Sequence, residues 1–142
     1  MKRDTRISGA SVLCSALLLA FSPHPEPGVF KYNFATETHT FDRGTKPDRI
    51  NGGVASTKPF YFSIPAPKGT FKVSVFTGDP NAACRTTIKV GPRVMIEHAD
   101  TEPATTREVS FEIKVIDAKL PLTLEFAGSR PCLDALEVRP VP

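Results

Sequence analysis

The stretch Lys68-Gly69-Thr70-Phe71-Lys72-Val73-Ser74-Val75-Phe76-Thr77-Gly78-Asp79-Pro80-Asn81-Ala82-Ala83-Cys84-Arg85 decides the fold. It opens on a Lys68-Gly69 turn and then alternates, with Phe71, Val73 and Val75 on one face and Lys72 and Ser74 on the other. A period of two built from β-branched and aromatic residues predicts a half-buried strand. Gly78-Asp79-Pro80-Asn81 is a strong stop, because each of these residues favours turn geometry for its own physical reason.

The same pattern recurs on either side. Val29–Phe34 sets Phe30, Tyr32 and Phe34 against Lys31 and Asn33, and Phe60–Ile64 is framed by Pro59 and Pro65. Thr86, Ile88 and Val90 alternate, Gly91-Pro92 turns the chain into Val94–Glu97, and Asp100–Thr106 is a polar loop. Arg107–Val115 sets Val109, Phe111, Ile113 and Val115 against Glu108, Ser110, Glu112 and Lys114. Leu122–Phe126 and Leu133–Val138 complete eight predicted strands. Most of the 14 prolines fall between these runs, as rigid connections between short strands require. The expectation is an all-β chain, an antiparallel β-sandwich of the jelly-roll kind. Ala35–Ser56 has no periodicity and is expected to be one long loop; loops of that length are functional or disordered.

The first 22 residues differ in kind. Lys2, Arg3 and Arg6 precede an apolar run, Ile7–Phe21, that is short for a bilayer span and right for the hydrophobic region of a signal peptide. Ala20-Phe21-Ser22 fits the small-x-small rule, although Pro23 follows it. The expected division is therefore a signal peptide (1–22), a proline-rich tether (23–28) and one sandwich domain (29–140), secreted or periplasmic, with no stable membrane span once the leader is removed. Of 18 basic and 15 acidic residues the leader holds three and one, so 15 and 14 remain, a net charge of +1. That balance lacks the footprint of a nucleic-acid binder. Cys14 leaves with the leader, and Cys84 and Cys132 remain as an even pair in an oxidising compartment. They read as a disulfide, with two lone buried cysteines as the alternative.

Catalytic motifs are missing. There is no Gly-x-Ser-x-Gly elbow, His-Glu-x-x-His, Walker loop or Cys-x-x-Cys. His24 lies in the tether, His39 in a threonine-rich loop, and His98 beside Asp100 and Glu102 in a polar turn. No catalytic residue is assigned and the chain reads as non-catalytic. A Ca²⁺ site is conceivable at the first long loop, where Asp42 and Asp48 supply hard oxygen ligands, but their spacing matches no specific loop.

Several stretches taken in order resemble one family. Phe30-Lys31-Tyr32-Asn33-Phe34, Lys58-Pro59-Phe60-Tyr61-Phe62-Ser63-Ile64, Gly69–Val75 with Gly78-Asp79, Leu122–Gly128 and Ala135–Val138 together resemble the N-terminal galactose-binding-like domain of bacterial rhamnogalacturonan acetylesterases and related secreted SGNH-type esterases. The resemblance spans about residues 29–140 and implies a galactose-binding-like jelly roll acting as an accessory module. In that family a catalytic esterase domain follows the sandwich, and this chain stops where that domain would begin. The resemblance implies a pectic or galactose-type polysaccharide as partner, and an SGNH esterase domain as a second.

It also implies that the first and last strands pair antiparallel, and with a Cys84–Cys132 bridge the loop 35–56 and the turns 78–84 and 128–132 would then share one rim. Phe41, Asp42, Arg43, Arg49, Asp79, Asn81, Arg85 and Arg130 are the expected carbohydrate-binding residues there. Sugar rings need an apolar platform ringed by planar polar groups, and arginine suits the carboxylate of galacturonic acid. Two other readings stand beside this one. The sandwich could only pack against and stabilise an esterase domain, through an outer face around Phe76 and Met95, or be an enzyme whose acids converge in one cleft.

Overall fold

In the computed structural model, which describes residues 28–142, eleven β-strands and no helix are found among the described residues. The expected leader and residues 23–27 lie outside them. The strands are β1 (Phe30–Asn33), β2 (Asp48–Ile50), β3 (Gly53–Ala55), β4 (Phe60–Ile64), β5 (Gly69–Gly78), β6 (Arg85–Val90), β7 (Arg93–Ile96), β8 (Thr106–Val115), β9 (Leu122–Arg130), β10 (Cys132–Leu133) and β11 (Ala135–Pro140). They form two four-stranded antiparallel sheets, β1-β11-β5-β8 and β4-β9-β6-β7, and a three-stranded sheet, β10-β3-β2. The fold is the expected all-β sandwich.

The alternation decides which side of each strand is inside. Phe71, Val73 and Val75 of β5 point into one core with Leu136 and Val138 of β11, Ile113 and Val115 of β8, and Phe60, Phe62 and Ile64 of β4. Leu122, Leu124 and Phe126 of β9 and Ile88 of β6 complete the facing layer. Burying each of these larger side chains stabilises the fold by about 1.5–3 kcal/mol. β5 pairs with β8 over its whole length, from Gly69↔Val115 to Gly78↔Thr106, and ends at the predicted Gly78 stop. β11 lies between β5 and β1, with Val138 opposite both Val73 and Phe30, so the first and last strands are antiparallel neighbours.

Two expectations fail, each for a visible reason. The span 35–56 is not a single loop: Asp48–Ile50 and Gly53–Ala55 form a hairpin, turned by Asn51-Gly52 with Gly52 at φ 99°. Asn-Gly is a strong hairpin signal, masked here because each arm has only three residues. The predicted last strand, Leu133–Val138, is divided at Asp134. Cys132 and Leu133 pair with Ala55 and Val54 of the small sheet, and Ala135 onward joins the large one. Asp134 makes the crossing, its N–H bonded to the Phe76 carbonyl and its carbonyl accepting from the N–H of Phe34.

The molecule consequently has two unlike ends. At one, β5, β9 and the small sheet meet around Cys84 and Cys132, which are joined with a Cα–Cα distance of 5.8 Å. At the other, the chain enters at Gly28 and leaves past Val141, whose N–H bonds to the Thr70 carbonyl. Residues 35–47 run along the open side between the edge strands β1 and β4.

Candidate functional site

The eight expected site residues do not share one rim. Asp79, Asn81, Arg85 and Arg130 gather at the disulfide end. Asp42 and Arg43 sit instead against Tyr61 of β4. Tyr61 is opposite Glu125 of β9, five residues before Arg130, on the order of 15 Å along the strand.

At the disulfide end the charged groups are consumed by the fold. Asp79 is 2% exposed, and Arg130 Nη2 lies 2.6 Å from its Oδ2. The Asn81 N–H donates to Asp79 Oδ1 at 2.9 Å, closing the turn after β5. Arg130 Nη1 also donates to the Ala83 carbonyl at 3.2 Å and lies 3.6 Å from Cys132 Sγ. Burial alone would push the Asp79 carboxyl up, but the Asn81 N–H and the Arg130 guanidinium together outweigh it and hold the group below the ordinary aspartate range. Arg85 is equally committed, donating to the carbonyls of Cys84 (3.0 Å) and Thr101 (3.1 Å) and pairing with Glu102 at 3.3 Å.

A small groove of about 240 Å³ opens beside this network, lined by Asn51, Gly52, Gly78, Asp79, Thr105 and Asp134 among others. Burial, with the negative field of Asp79 added, pushes the Asp134 carboxyl up to about 7. Its Oδ1 is buried without a hydrogen-bond partner. A side chain at Gly53 would collide with this carboxylate and with the Leu133 carbonyl, so only glycine fits under it.

The lateral cleft along residues 37–47 has the opposite character. Its wall is aromatic: Phe34–Phe62 centroids are 5.2 Å apart, Phe34–His39 5.0 Å, Tyr32–His39 5.4 Å and Phe41–Phe60 5.5 Å. Tyr32 and Phe62, 4.9 Å apart and edge-on, join the two sheets beneath it. Phe41 is therefore not the freely exposed platform expected. It is half-buried against the core, because residues 38–42 lie down as an extended segment with Asp42 bridged to Tyr61. Asp42 N–H donates to the Tyr61 carbonyl at 2.8 Å, and its carboxylate accepts from the Ser63 hydroxyl. Arg43, at φ 59°, lays its guanidinium 4.2 Å from the Tyr61 ring centroid. Arg49 of β2 donates to the carbonyls of Ala35 (3.0 Å) and Glu37 (3.3 Å) and fastens the segment to the small sheet.

Above this wall is an open cleft of about 400 Å³ lined by Thr38, His39, Thr40, Phe41, Gly44, Thr45 and Lys46. A narrower recess of about 150 Å³ shares Thr38, His39, Phe41 and Lys46 with it and runs inward to Phe34, Pro47, Arg49 and Val54. His39 Nε2 lies 2.9 Å from Glu37 Oε1 at the lip. That contact and the hydrogen bond from the Asn33 N–H hold the Glu37 carboxyl below the usual glutamate range, the hydrogen bond contributing most. Lys46 is exposed and makes no ion pair with any described residue. An apolar wall, three threonine hydroxyls and a cation with no ion pair among the described residues are the groups that a sugar ring bearing an acid would use.

The sequence reading passed over His39, Thr38, Thr40, Thr45 and Lys46. A signal for the first four residues of the cleft was present: Thr38-His39-Thr40-Phe41 alternates polar and ring residues with a period of two, and the burial follows it. Met95, expected on an outer face, packs on the core instead. Phe76 is half-buried, in a shallow depression between Lys31, Glu37 and Glu137. Asp48 is exposed on β2, and no group of three or more His, Cys, Asp or Glu converges on a metal position among the described residues. None of the described elements is a helix long and apolar enough to cross a membrane.

No family model matches the chain, and no curated protein matches it. Solved structures do. The CBM36-1 domain of a multidomain xylanase from the hindgut metagenome of Trinervitermes trinervoides aligns at a TM-score of 0.50 and 16% identity, covering 80% of this chain and 98% of that one. The plant receptor-like kinase FER aligns at a TM-score of 0.51 and 13% identity, covering 86% of this chain and 36% of that one. At such identities the likeness is one of fold: the chain is an antiparallel β-sandwich of the kind found in carbohydrate-binding modules.

Proposed function

We propose that this protein is a secreted or periplasmic, non-catalytic carbohydrate-binding module, and that its ligand is an acidic pectic glycan. The lateral cleft carries this reading: an aromatic wall from buried Phe34 and half-buried His39 and Phe41, beneath the Lys46 ammonium, which pairs with no described residue. A pyranose ring laid on Phe41 and His39 would bury its apolar face. Its hydroxyls would then meet Thr38, Thr40 and Thr45, and a uronate carboxylate would meet Lys46. Arg43 and Arg49 shape the cleft but are engaged with Tyr61 and with backbone carbonyls. Asp79, Asn81, Arg85 and Arg130 have no part in this site.

The family resemblance supports the pectic assignment and implies a role beside a rhamnogalacturonan-deacetylating SGNH esterase. The neighbouring sandwich in a multidomain xylanase supports the coarser half of it, that this kind of fold serves sugar-active enzymes. The test is a calorimetric titration of the protein with rhamnogalacturonan and homogalacturonan oligosaccharides, with and without Ca²⁺. The expected result is saturable binding that Lys46→Glu weakens at least tenfold for galacturonate oligomers. A folded protein that gives no heat with any pectic oligosaccharide would remove this reading.

A further inference from the structure

The end of the sandwich away from the disulfide carries a surface that the cleft does not explain. Ile116 and Leu120 are 74% and 64% exposed, and with Val94 they are the large hydrophobic side chains most open to solvent among the described residues. They flank one rigid turn: the Leu120 N–H bonds to the Asp117 carbonyl at 3.2 Å, and the Lys119 N–H to Asp117 Oδ1 at 2.9 Å. Pro121 fixes the exit. Because Gly69 is opposite Val115, the ladder places Lys68 beside Ile116, with Lys114 one step behind opposite Thr70.

Lys68, Lys114 and Lys119 are exposed and form no ion pair with any described residue, and Asp117 is the one acid in the turn. Exposing two large aliphatic side chains on a pinned turn gives the fold nothing, since neither touches the core. A hydrophobic tip skirted by lysines is what an anionic lipid surface accepts: the aliphatic groups enter the interfacial region, and the lysine stems lie along it with their ammonium groups among the phosphates.

We propose that the Ile116–Leu120 turn, with Lys68, Lys114 and Lys119, docks the domain peripherally on an anionic phospholipid surface. In that pose the disulfide end faces away from the lipid and the lateral cleft lies along the side, clear of it. The chain contains no tryptophan, so one introduced indole is a clean reporter. The full chain carrying Leu120→Trp is mixed with vesicles of phosphatidylcholine and phosphatidylglycerol that contain brominated lipid, and Asn81→Trp at the disulfide end is the control.

The expected result is a blue-shifted, quenched emission from Leu120→Trp and unchanged emission from Asn81→Trp. Adding Lys68→Glu or Lys119→Glu should weaken partitioning about fivefold each. Four results would overturn the proposal. One is vesicle-bound protein whose Leu120→Trp stays unquenched, which would mean that residues 1–27 alone hold it. Another is equal quenching at both reporters. Quenching that is the same on purely zwitterionic vesicles would remove the role of the lysines. A blue shift without vesicles that grows with protein concentration, or that appears only with an esterase domain present, would assign the turn to a protein contact.

Discussion

The disulfide end and the lateral cleft use similar residue types to opposite ends. At the first, Asp79 and Arg130 pair with each other and hold the turn 79–84, and Arg85 is spent on the carbonyls of Cys84 and Thr101 and on Glu102. At the second, Lys46 and the hydroxyls of Thr38, Thr40 and Thr45 surround an aromatic wall and bond to nothing described. Charge in a loop is thus a poor pointer to a binding site. What separates the two regions is commitment: a buried acid must be paired, whereas a cation over a cleft is left with water.

The largest effects should come from dismantling the committed end. Replacing Cys84 and Cys132 by serine, or reducing the bridge, opens a link across a sequence separation of 48 and should cost about 3–4 kcal/mol in chemical denaturation. Arg130→Met should cost about 3 kcal/mol, because it leaves Asp79 buried and unpaired; Arg130 is itself 29% exposed, which keeps the loss at the low end for a broken buried pair. Both variants should leave cleft titrations unchanged while the protein is folded.

A pH series sharpens the comparison within the committed end. The Asp134 carboxyl is raised from 3.8 to about 7 in the fold, so the folded chain holds a proton that the unfolded chain has released. Stability should therefore fall as pH rises from about 4 to 7, and Asp134→Asn should remove that slope and leave the protein more stable at pH 8. Asp79 acts in the other direction. Its lowered pKa stabilises the fold above the ordinary aspartate value and is lost as pH falls through the folded one. An Asp134→Asn protein with an unchanged slope would show that this carboxyl is not the titrating group.

At the cleft the stability effects should be small and the binding effects large. Lys46→Glu should change unfolding free energy by less than about 0.5 kcal/mol, as for a solvated surface position. Arg43→Ala should cost slightly more, because it loses an exposed guanidinium–ring contact worth about 0.5–1 kcal/mol. A double-mutant cycle with Tyr61→Leu would measure that contact.

The long strands were legible because each carries enough alternation to state its own inner face. Phe71-Lys72-Val73-Ser74-Val75 and Arg107–Val115 could each be assigned from period alone, while their pairing with one another shows only in the structure. The three-residue arms around Asn51-Gly52 are too short to show a period, and their pairing is settled by Cys132 and Leu133, distant in sequence. The candidate site was legible only in part. Phe41 was singled out as an aromatic platform, but its half-burial depends on Asp42 bridging to Tyr61, a contact distant in sequence that no local pattern encodes. Asp79 and Arg130 were brought to the same end correctly, and their mutual neutralisation follows from a side-chain distance that sequence does not carry.

The most direct test is an amide-resolved NMR titration of the protein with a galacturonate oligosaccharide. The account predicts saturable shifts confined to residues 37–47 and their neighbours Tyr32 and Phe62, and none at Gly52, Asp79, Thr105 or Asp134. Shifts centred on that second set, with the 37–47 segment silent, would contradict it and move the binding site to the disulfide end.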